Sequence, residues 1–261
     1  NCFLPIVTMS KRKLGKYTLD IFLLGAGRPS LGVRPSALKY VALNTTAIDW
    51  QIYSFEAISN TNNIHFLGGY RVDSIINNYP QLSYTVIPDW EEKGVLHTLL
   101  KAPFSNRSLI LSYSDTLFRK EALLGMLSID ADIVFGVDSC WKERYESRSE
   151  SDIQLAETVE IENFEGELSI VEFTGLIYFK SEVINLLSDL DENDIGDSLI
   201  DLINYLRGMG LSVKPFDVAG HWSELNSPND VARFILGTKA ETLDRLKPLV
   251  NKSHIGKQVR F

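Results

Sequence analysis

Two segments of this chain carry residue types that can do chemistry. The first, Leu24-Gly25-Ala26-Gly27-Arg28-Pro29-Ser30-Leu31-Gly32, closes an apolar run and opens into a glycine-rich loop with one arginine. The second, residues 108–116, is an apolar run that ends on Ser114-Asp115-Thr116. Glycines let backbone N–H groups approach phosphate oxygens closely, and an arginine forks onto the same oxygens. A carboxylate at a strand end holds a divalent cation. The pair therefore supplies the parts for nucleoside triphosphate chemistry, with the 25–32 loop and Arg28 on phosphates and Asp115 on metal.

Spacing separates the competing readings of the loop. A P-loop needs a lysine directly after its last glycine, and Val33 stands there. A dinucleotide fingerprint needs a third glycine where Ser30 stands, and a helix at once, which Pro29 and Gly32 oppose. An ordinary strand-to-helix turn is the plain alternative. The remaining reading is an extended phosphate loop that meets Pro35-Ser36-Ala37-Leu38, with Lys39 next as a further cation.

These residues need a scaffold that gathers loop ends. Patterns of apolar residues predict strands at 20–24, 63–67, 83–87, 109–112, 133–137, 157–162, 168–180 and 212–218. They predict helices at 46–60, 71–78, 94–101, 119–129, 181–190, 197–209 and 227–236, the first opened by Thr46 and Asp49 at capping-box spacing. Such alternation implies an α/β fold, a three-layer α/β/α sandwich around a mostly parallel sheet, with ligands at the carboxyl ends of the strands. Residues 139–152 read as a polar loop at that face, where Trp141, Arg144 and Arg148 would suit an anionic ligand. Residues 1–18 read as an N-terminal extension, 19–236 as the main domain, and 237–261 as a helical tail opened by Thr238-Lys239-Ala240-Glu241.

Composition narrows the partners. The chain has 261 residues and a net charge of -8, which argues against a nucleic-acid surface. No run of about 18 apolar residues is present, so no membrane span is expected. Two cysteines, Cys2 and Cys140, allow neither a disulfide framework nor a CxxC zinc site, and the four histidines lack metal-ligand spacing. A reducing, cytoplasmic setting is expected. The oligomeric state, a homodimer included, is left open.

At these residues the chain resembles the sugar-phosphate and alkyl-phosphate nucleotidyltransferases, over about residues 20–236. Gly25, Gly27, Arg28, Ser30 and Gly32 match the family's signature loop, although Ser36 stands where the family has a lysine. Tyr113-Ser114-Asp115-Thr116-Leu117-Phe118 is similar to the segment with its metal-binding Asp. Glu172-Phe173-Thr174-Gly175-Leu176 resembles the strand whose glycine lies against the acceptor. His221-Trp222-Ser223-Glu224-Leu225-Asn226-Ser227-Pro228 resembles a later element that carries the second metal carboxylate, here Glu224.

The resemblance implies a GT-A, Rossmann-like fold and Mg²⁺ held by Asp115 and Glu224, with Asn226 as an alternative ligand. It implies a nucleotide bound by Leu24, Gly25, Ala26, Gly27, Arg28, Ser30, Gly32, Gln81, Gly94 and Ser114. It assigns the acceptor to Trp141, Arg144, Arg148, Glu172, Gly175 and Trp222, and catalysis to Arg28, Lys39 and Asp115. Residues 137–149, Asp49-Trp50-Gln51 and Gly68-Gly69-Tyr70 are similar to the phosphonate and choline-phosphate cytidylyltransferases. That subgroup implies transfer of CMP from CTP to a small phosphorylated acceptor: a phosphonate, a phosphocholine-like compound or an amino-acid phosphate such as phosphoglutamine. Pyrophosphate would leave, and the product would serve surface polysaccharide or phosphonate decoration. Residues 236–243 resemble a junction that leads, in some relatives, into a phosphoenolpyruvate-synthase-like kinase, which implies such a kinase as pathway partner. Two alternatives stay open: a sugar-1-phosphate nucleotidyltransferase using UTP, dTTP or GTP, and a nucleotide-binding module without turnover.

Overall fold

The computed structural model describes residues 17–29, 32–59, 63–145, 150–154, 156–162, 167–218, 221–226 and 228–236. The expected tail, and all but the end of the expected N-terminal extension, lie outside them. Tyr17 belongs to the fold: its N–H donates to the Ile58 carbonyl at 2.8 Å.

Strand β1 (Asp20–Gly25) is buried at its four middle residues, as a central parallel strand requires. A one-turn 3₁₀ helix at Ser36–Leu38 leads into a small hairpin, β2 (Tyr40–Ala42) and β3 (Thr45–Thr46), and then α1 (Ala47–Glu56). There follow β4 (Ile64–Gly68), α2 (Val72–Asn78), β5 (Ser83–Val86), α3 (Val95–Leu100), β6 (Leu109–Tyr113), β7 (Thr116–Phe118), α4 (Lys120–Leu127) and β8 (Ile133–Asp138). Short helices α5 (Trp141–Arg144) and α6 (Glu150–Gln154) precede β9 (Thr158–Glu162) and β10 (Leu168–Phe179). The described chain closes with α7 (Ser181–Ser188), α8 (Leu199–Gly208), β11 (Val213–Asp217), β12 (Trp222–Glu224) and α9 (Pro228–Leu236).

The main sheet runs β11-β8-β10-β6-β1-β4-β5, with β9 paired to β10. β1, β4, β5 and β6 are mutually parallel, and β11 is parallel to β8. β10 is antiparallel to both β6 and β8. The sheet is thus mixed and mostly parallel, as expected. One apolar cluster packs α1, α2 and α4 on one face through Ile48, Phe55, Ile75 and Leu123. The other packs α3, α7 and α8 through Leu96, Leu187, Leu202 and Leu206. Covering both faces makes the three layers. β8 is buried at every position, which explains why it reads as an unbroken apolar run.

Local chemistry sets the helix starts. Thr46 accepts from the Asp49 N–H at 3.3 Å, and Asp49 accepts from the Thr46 N–H at 2.8 Å. Tyr79 joins this capping box by donating to Asp49 at 2.8 Å, and burial pushes its phenol up to about 12. Ser198 and Asp201 build the same box on α8, whose buried Leu199, Leu202, Ile203 and Leu206 form one helical stripe.

Some boundaries differ from the sequence reading. α1 ends at Glu56, short of residue 60, and the expected loop at 139–152 contains the one-turn helices α5 and α6. Strands β2, β3, β7 and β12 have two or three residues each, too few to show any periodicity. A 3₁₀ turn at Glu192–Asp194 follows α7, and its Glu192 pairs with Lys93 at 2.7 Å and with His97 at 2.6 Å. Among the described residues, no helix is long and apolar enough to cross a membrane.

Thr46→Ala removes the cap on α1 and a hydroxyl partner of buried Tyr79. Urea unfolding should show a loss of about 1–2 kcal/mol at unchanged m-value; an unaltered midpoint would show that the box does not hold this helix.

Candidate active site

The site begins where the parallel strands stop. Gly25 pairs with Gly68, and Leu24 with Tyr113, so β1, β4 and β6 end at one edge. The Leu24 carbonyl accepts from the Ser114 N–H at 2.9 Å, and the Ala26 carbonyl from the Tyr70 N–H at 2.8 Å. A Cβ on Gly25 would stand 2.3 Å from Phe66 Cζ and 2.6 Å from Ser114 Oγ, so this first loop residue has room only for glycine. Farther along, the Val33 carbonyl is held by Tyr70 Oη at 3.1 Å and Arg71 Nη1 at 3.0 Å. Arg28 is exposed over the Tyr70 ring, 5.8 Å from its centroid. The loop is anchored on both sides of the residues offered to phosphate.

This loop forms one wall of a cavity of about 630 Å³. Trp90, Lys93, Gly94 and Thr98 also line it, as do Tyr113, Ser114 and Asp115. The Trp90 ring lies directly on Gly69, where a Cβ would come within 2.4 Å of Cγ. Glu224 and Asn226 close one side and Glu157 another.

Two segments far apart in sequence, each with a cavity-lining carboxylate, meet here. β12 pairs antiparallel with β7, placing Glu224 opposite Thr116, and the Leu225 N–H donates to the Asp115 carbonyl at 2.8 Å. Gln51 steadies the Asp115 turn by donating to the carbonyls of Tyr113 at 2.7 Å and Thr116 at 2.8 Å. Trp50 donates to the Phe118 carbonyl at 2.8 Å. Burial pushes the Asp115 carboxyl up, while its backbone hydrogen bond and the Lys39 charge pull it down. Lys39 Nζ donates to the Leu225 carbonyl at 3.1 Å. It therefore serves the Asp115 side of the site and is not part of the cavity lining. Asn226 donates to Glu224 Oε2 at 2.6 Å, which orients that carboxylate.

The donor set suits Mg²⁺. That ion takes one or two carboxylates and fills its octahedron with water and substrate phosphate. Asp115 and Glu224 both face the cavity, and among the described residues no group of three His, Cys, Asp or Glu side chains could hold a metal alone.

The structure brings Leu24, Gly25, Ala26, Gly27, Arg28, Gly94, Ser114, Asp115, Glu224 and Asn226 to one cavity. Gly32, at φ 81, lies in the loop beyond the lining. Gln81 is exposed in the turn before β5, at the amino end of that strand, and is not among the lining residues. Trp141, Glu172, Gly175 and Trp222, expected at the acceptor, are not among the lining residues. Trp141 is buried and donates from Nε1 to the Ile170 carbonyl at 3.1 Å. Glu172 is buried and accepts from Tyr145 Oη at 2.7 Å. Gly175 has φ 72 and abuts the Tyr113 ring. Trp222, the first residue of β12, is buried in the core. Large aromatic rings at these positions gain more by packing than by facing water. Ser30 and Arg148, like the Arg144 side chain, lie outside the described residues. Trp90, Lys93 and Glu157, in loops, and Thr98, in α3, went unforeseen, because single lining residues leave no spacing signal.

No family model matches the chain. It is 22% identical over 219 residues to the CTP:phosphoglutamine cytidylyltransferase of Campylobacter jejuni, covering 72% of this chain and 86% of that one. Its structure matches a Bacillus anthracis chain assigned as a glucose-1-phosphate thymidylyltransferase, with TM-score 0.61 and 14% identity over 85% of this chain and 96% of that one. It also matches the inositol-1-phosphate CTP transferase of T. maritima, with TM-score 0.57 and 18% identity over 86% and 98%. The fold is the nucleotidyltransferase fold.

Two glycines of this nucleotidyltransferase fold separate packing from ligand approach. Gly25→Ala should cost about 1–3 kcal/mol of stability in urea through overpacking. A Cβ on Gly27 meets nothing within 4 Å. Gly27→Ala should therefore keep its urea midpoint yet bind nucleoside triphosphate more weakly by calorimetry, since the added methyl stands between amide and phosphate. Equal midpoints for the two variants would contradict the packing at Gly25.

Proposed function

We propose that this chain transfers a nucleotidyl group, CMP, from CTP to a small phosphorylated acceptor and releases pyrophosphate. The observation that carries the proposal is the β7–β12 pairing, which joins the Asp115 turn to the strand of Glu224, with both carboxylates lining the same cavity as the 25–28 loop. The choice of CTP is supported by the names of two relatives, a CTP:phosphoglutamine cytidylyltransferase and an inositol-1-phosphate CTP transferase.

An oxygen of the acceptor's phosphate or phosphonate attacks the α-phosphorus, and the bond from that phosphorus to the α,β-bridging oxygen breaks. The attacking oxygen is already ionised at neutral pH, so the chain need supply no general base. Its work is positioning and charge stabilisation. Arg28 and the loop amides take the departing pyrophosphate. Asp115 and Glu224 would hold Mg²⁺, which neutralises phosphate charge when bound. Lys39 keeps the Asp115 carboxyl toward its ionised form. Trp90 and Gly94 offer a flat wall and a backbone edge to the base. The acceptor would come from a small-molecule kinase, and the product would feed decoration of a surface polymer or phosphonate.

Purified protein with Mg²⁺, each of the four NTPs and a panel of acceptors should release pyrophosphate with CTP and a nitrogen-bearing phospho-acceptor. Asp115→Asn and Glu224→Gln should each lower turnover on the order of 10²-fold in folded protein, and chelation should abolish it. Release only with a sugar-1-phosphate and another NTP would transfer the assignment to that reaction. Tight nucleotide binding without release would mark a binding module. Near-wild-type turnover in both variants would refute the site.

A further inference from the structure

The corner after β4, residues 68–71, touches both the glycine loop and the segment that carries Trp90. On the loop side the Tyr70 N–H donates to the Ala26 carbonyl at 2.8 Å. Tyr70 Oη and Arg71 Nη1 converge on the Val33 carbonyl, at 3.1 Å and 3.0 Å. The Arg28 guanidinium lies 5.8 Å from the Tyr70 ring centroid. On the other side the Gly68 carbonyl accepts from the Ile87 N–H at 2.8 Å. The Trp90 ring packs on Gly69 and meets Tyr70 edge to face, with centroids 5.5 Å apart and planes at 71°. Arg28 and Trp90 line the cavity, whereas Tyr70 and Arg71 are not among the lining residues. One tyrosine thus touches two parts of the lining from behind.

The backbone at this corner is strained. Arg71 stands at φ 47 and ψ 38, in the left-handed region. Among the described residues only one other non-glycine residue, Asn44, has a positive φ. Asparagine tolerates that conformation, while a bulkier side chain crowds its own backbone. The turn by itself favours glycine. What glycine lacks is the guanidinium that reaches the Val33 carbonyl. Each of these exposed contacts is weak alone, a hydrogen bond or a cation–π contact near water. Together they hold the loop in place, and a loop ordered in advance need not be ordered when a ligand binds.

We infer that Tyr70 and Arg71 are positioning residues that tie the glycine loop and the Trp90 segment into one unit before nucleotide arrives. The inference rests on the proposed transferase reading for the nucleotide and deepens it by naming the residues that prearrange its site.

The test reads the tie and its consequence separately. Amide hydrogen exchange on the free protein reads the tie. Tyr70→Ala should speed exchange over residues 25–28 and 32–34 and also over 87–91, with protection elsewhere unchanged. Tyr70→Phe, which keeps the ring, should speed exchange at 32–34 and spare 87–91. Calorimetry with Mg²⁺ and each of the four NTPs reads the consequence. Arg71→Gly should weaken binding of whichever NTP the wild type takes, on the order of three- to tenfold. Its urea midpoint should hold or rise, since glycine relieves the left-handed residue. Arg71→Lys, which keeps one donor, should recover part of the affinity. A merely structural arginine would lower midpoint and affinity together, and that result would overturn the inference. So would unchanged exchange in both Tyr70 variants, faster exchange confined to one segment in Tyr70→Ala, or full nucleotide affinity in Arg71→Gly. If exchange rises in both segments but no NTP binds the wild type, the transferase reading fails and the tie stands.

Discussion

The parallel pairings β5–β4–β1–β6 end in register, with Val86 beside Gly68, Gly68 beside Gly25, and Leu24 beside Tyr113. Parallel strands all deliver their exits to one edge, so any loop that leaves them arrives at the same place. The edge is crowded. Phe66 fills the space a side chain would need at Gly25, and Val72 does the same at Gly68. Glycine at these exits lets the chain turn away with its amides uncovered. The phosphate loop is a consequence of that packing as much as of its own residues.

The joining of the Asp115 turn to the strand of Glu224 depends on a second, smaller constraint. β7 and β12 form a two-stranded ladder outside the main sheet. Its register alone decides that Glu224 meets the Asp115 turn. The surroundings enforce it: Gln51 and Trp50 reach up from α1 to the backbone of 113–118, and Lys39 ties the Leu225 carbonyl. Asp49-Trp50-Gln51, which resembles a cytidylyltransferase feature, thus acts on backbone under the site. A residue there governs the geometry of acids it does not touch.

The acceptor side follows a different logic. Aromatic and acidic residues at 141, 172 and 222 have the chemical types of a binding site, yet each is buried. The opening is shaped by what they support. Trp141 fastens to β10 through the Ile170 carbonyl, Tyr145 caps Glu172, and the irregular stretch of β10 seats Tyr113. Residues that look like ligand binders are buried, while Glu157, in the loop before β9, lines the cavity.

The chain's own pattern determined the alternation of strands and helices, the capping boxes at Thr46 and Ser198, and the 25–28 loop with Asp115 at strand ends. Those features are local: burial on both faces of a parallel strand yields an apolar run, and a cap is written within four residues. Which side of the opening each residue occupies was settled only by tertiary structure. The three-residue strands β7 and β12 have no period to read, so the meeting of Asp115 with Glu224 is visible in sequence only through resemblance. Gln81 sits at the wrong end of β5 because strand direction, not distance along the chain, decides which end meets the ligand. Trp141 and Trp222 lie inside, and Glu157 faces the opening, because burial is set by the neighbours that fold against a residue and not by its type.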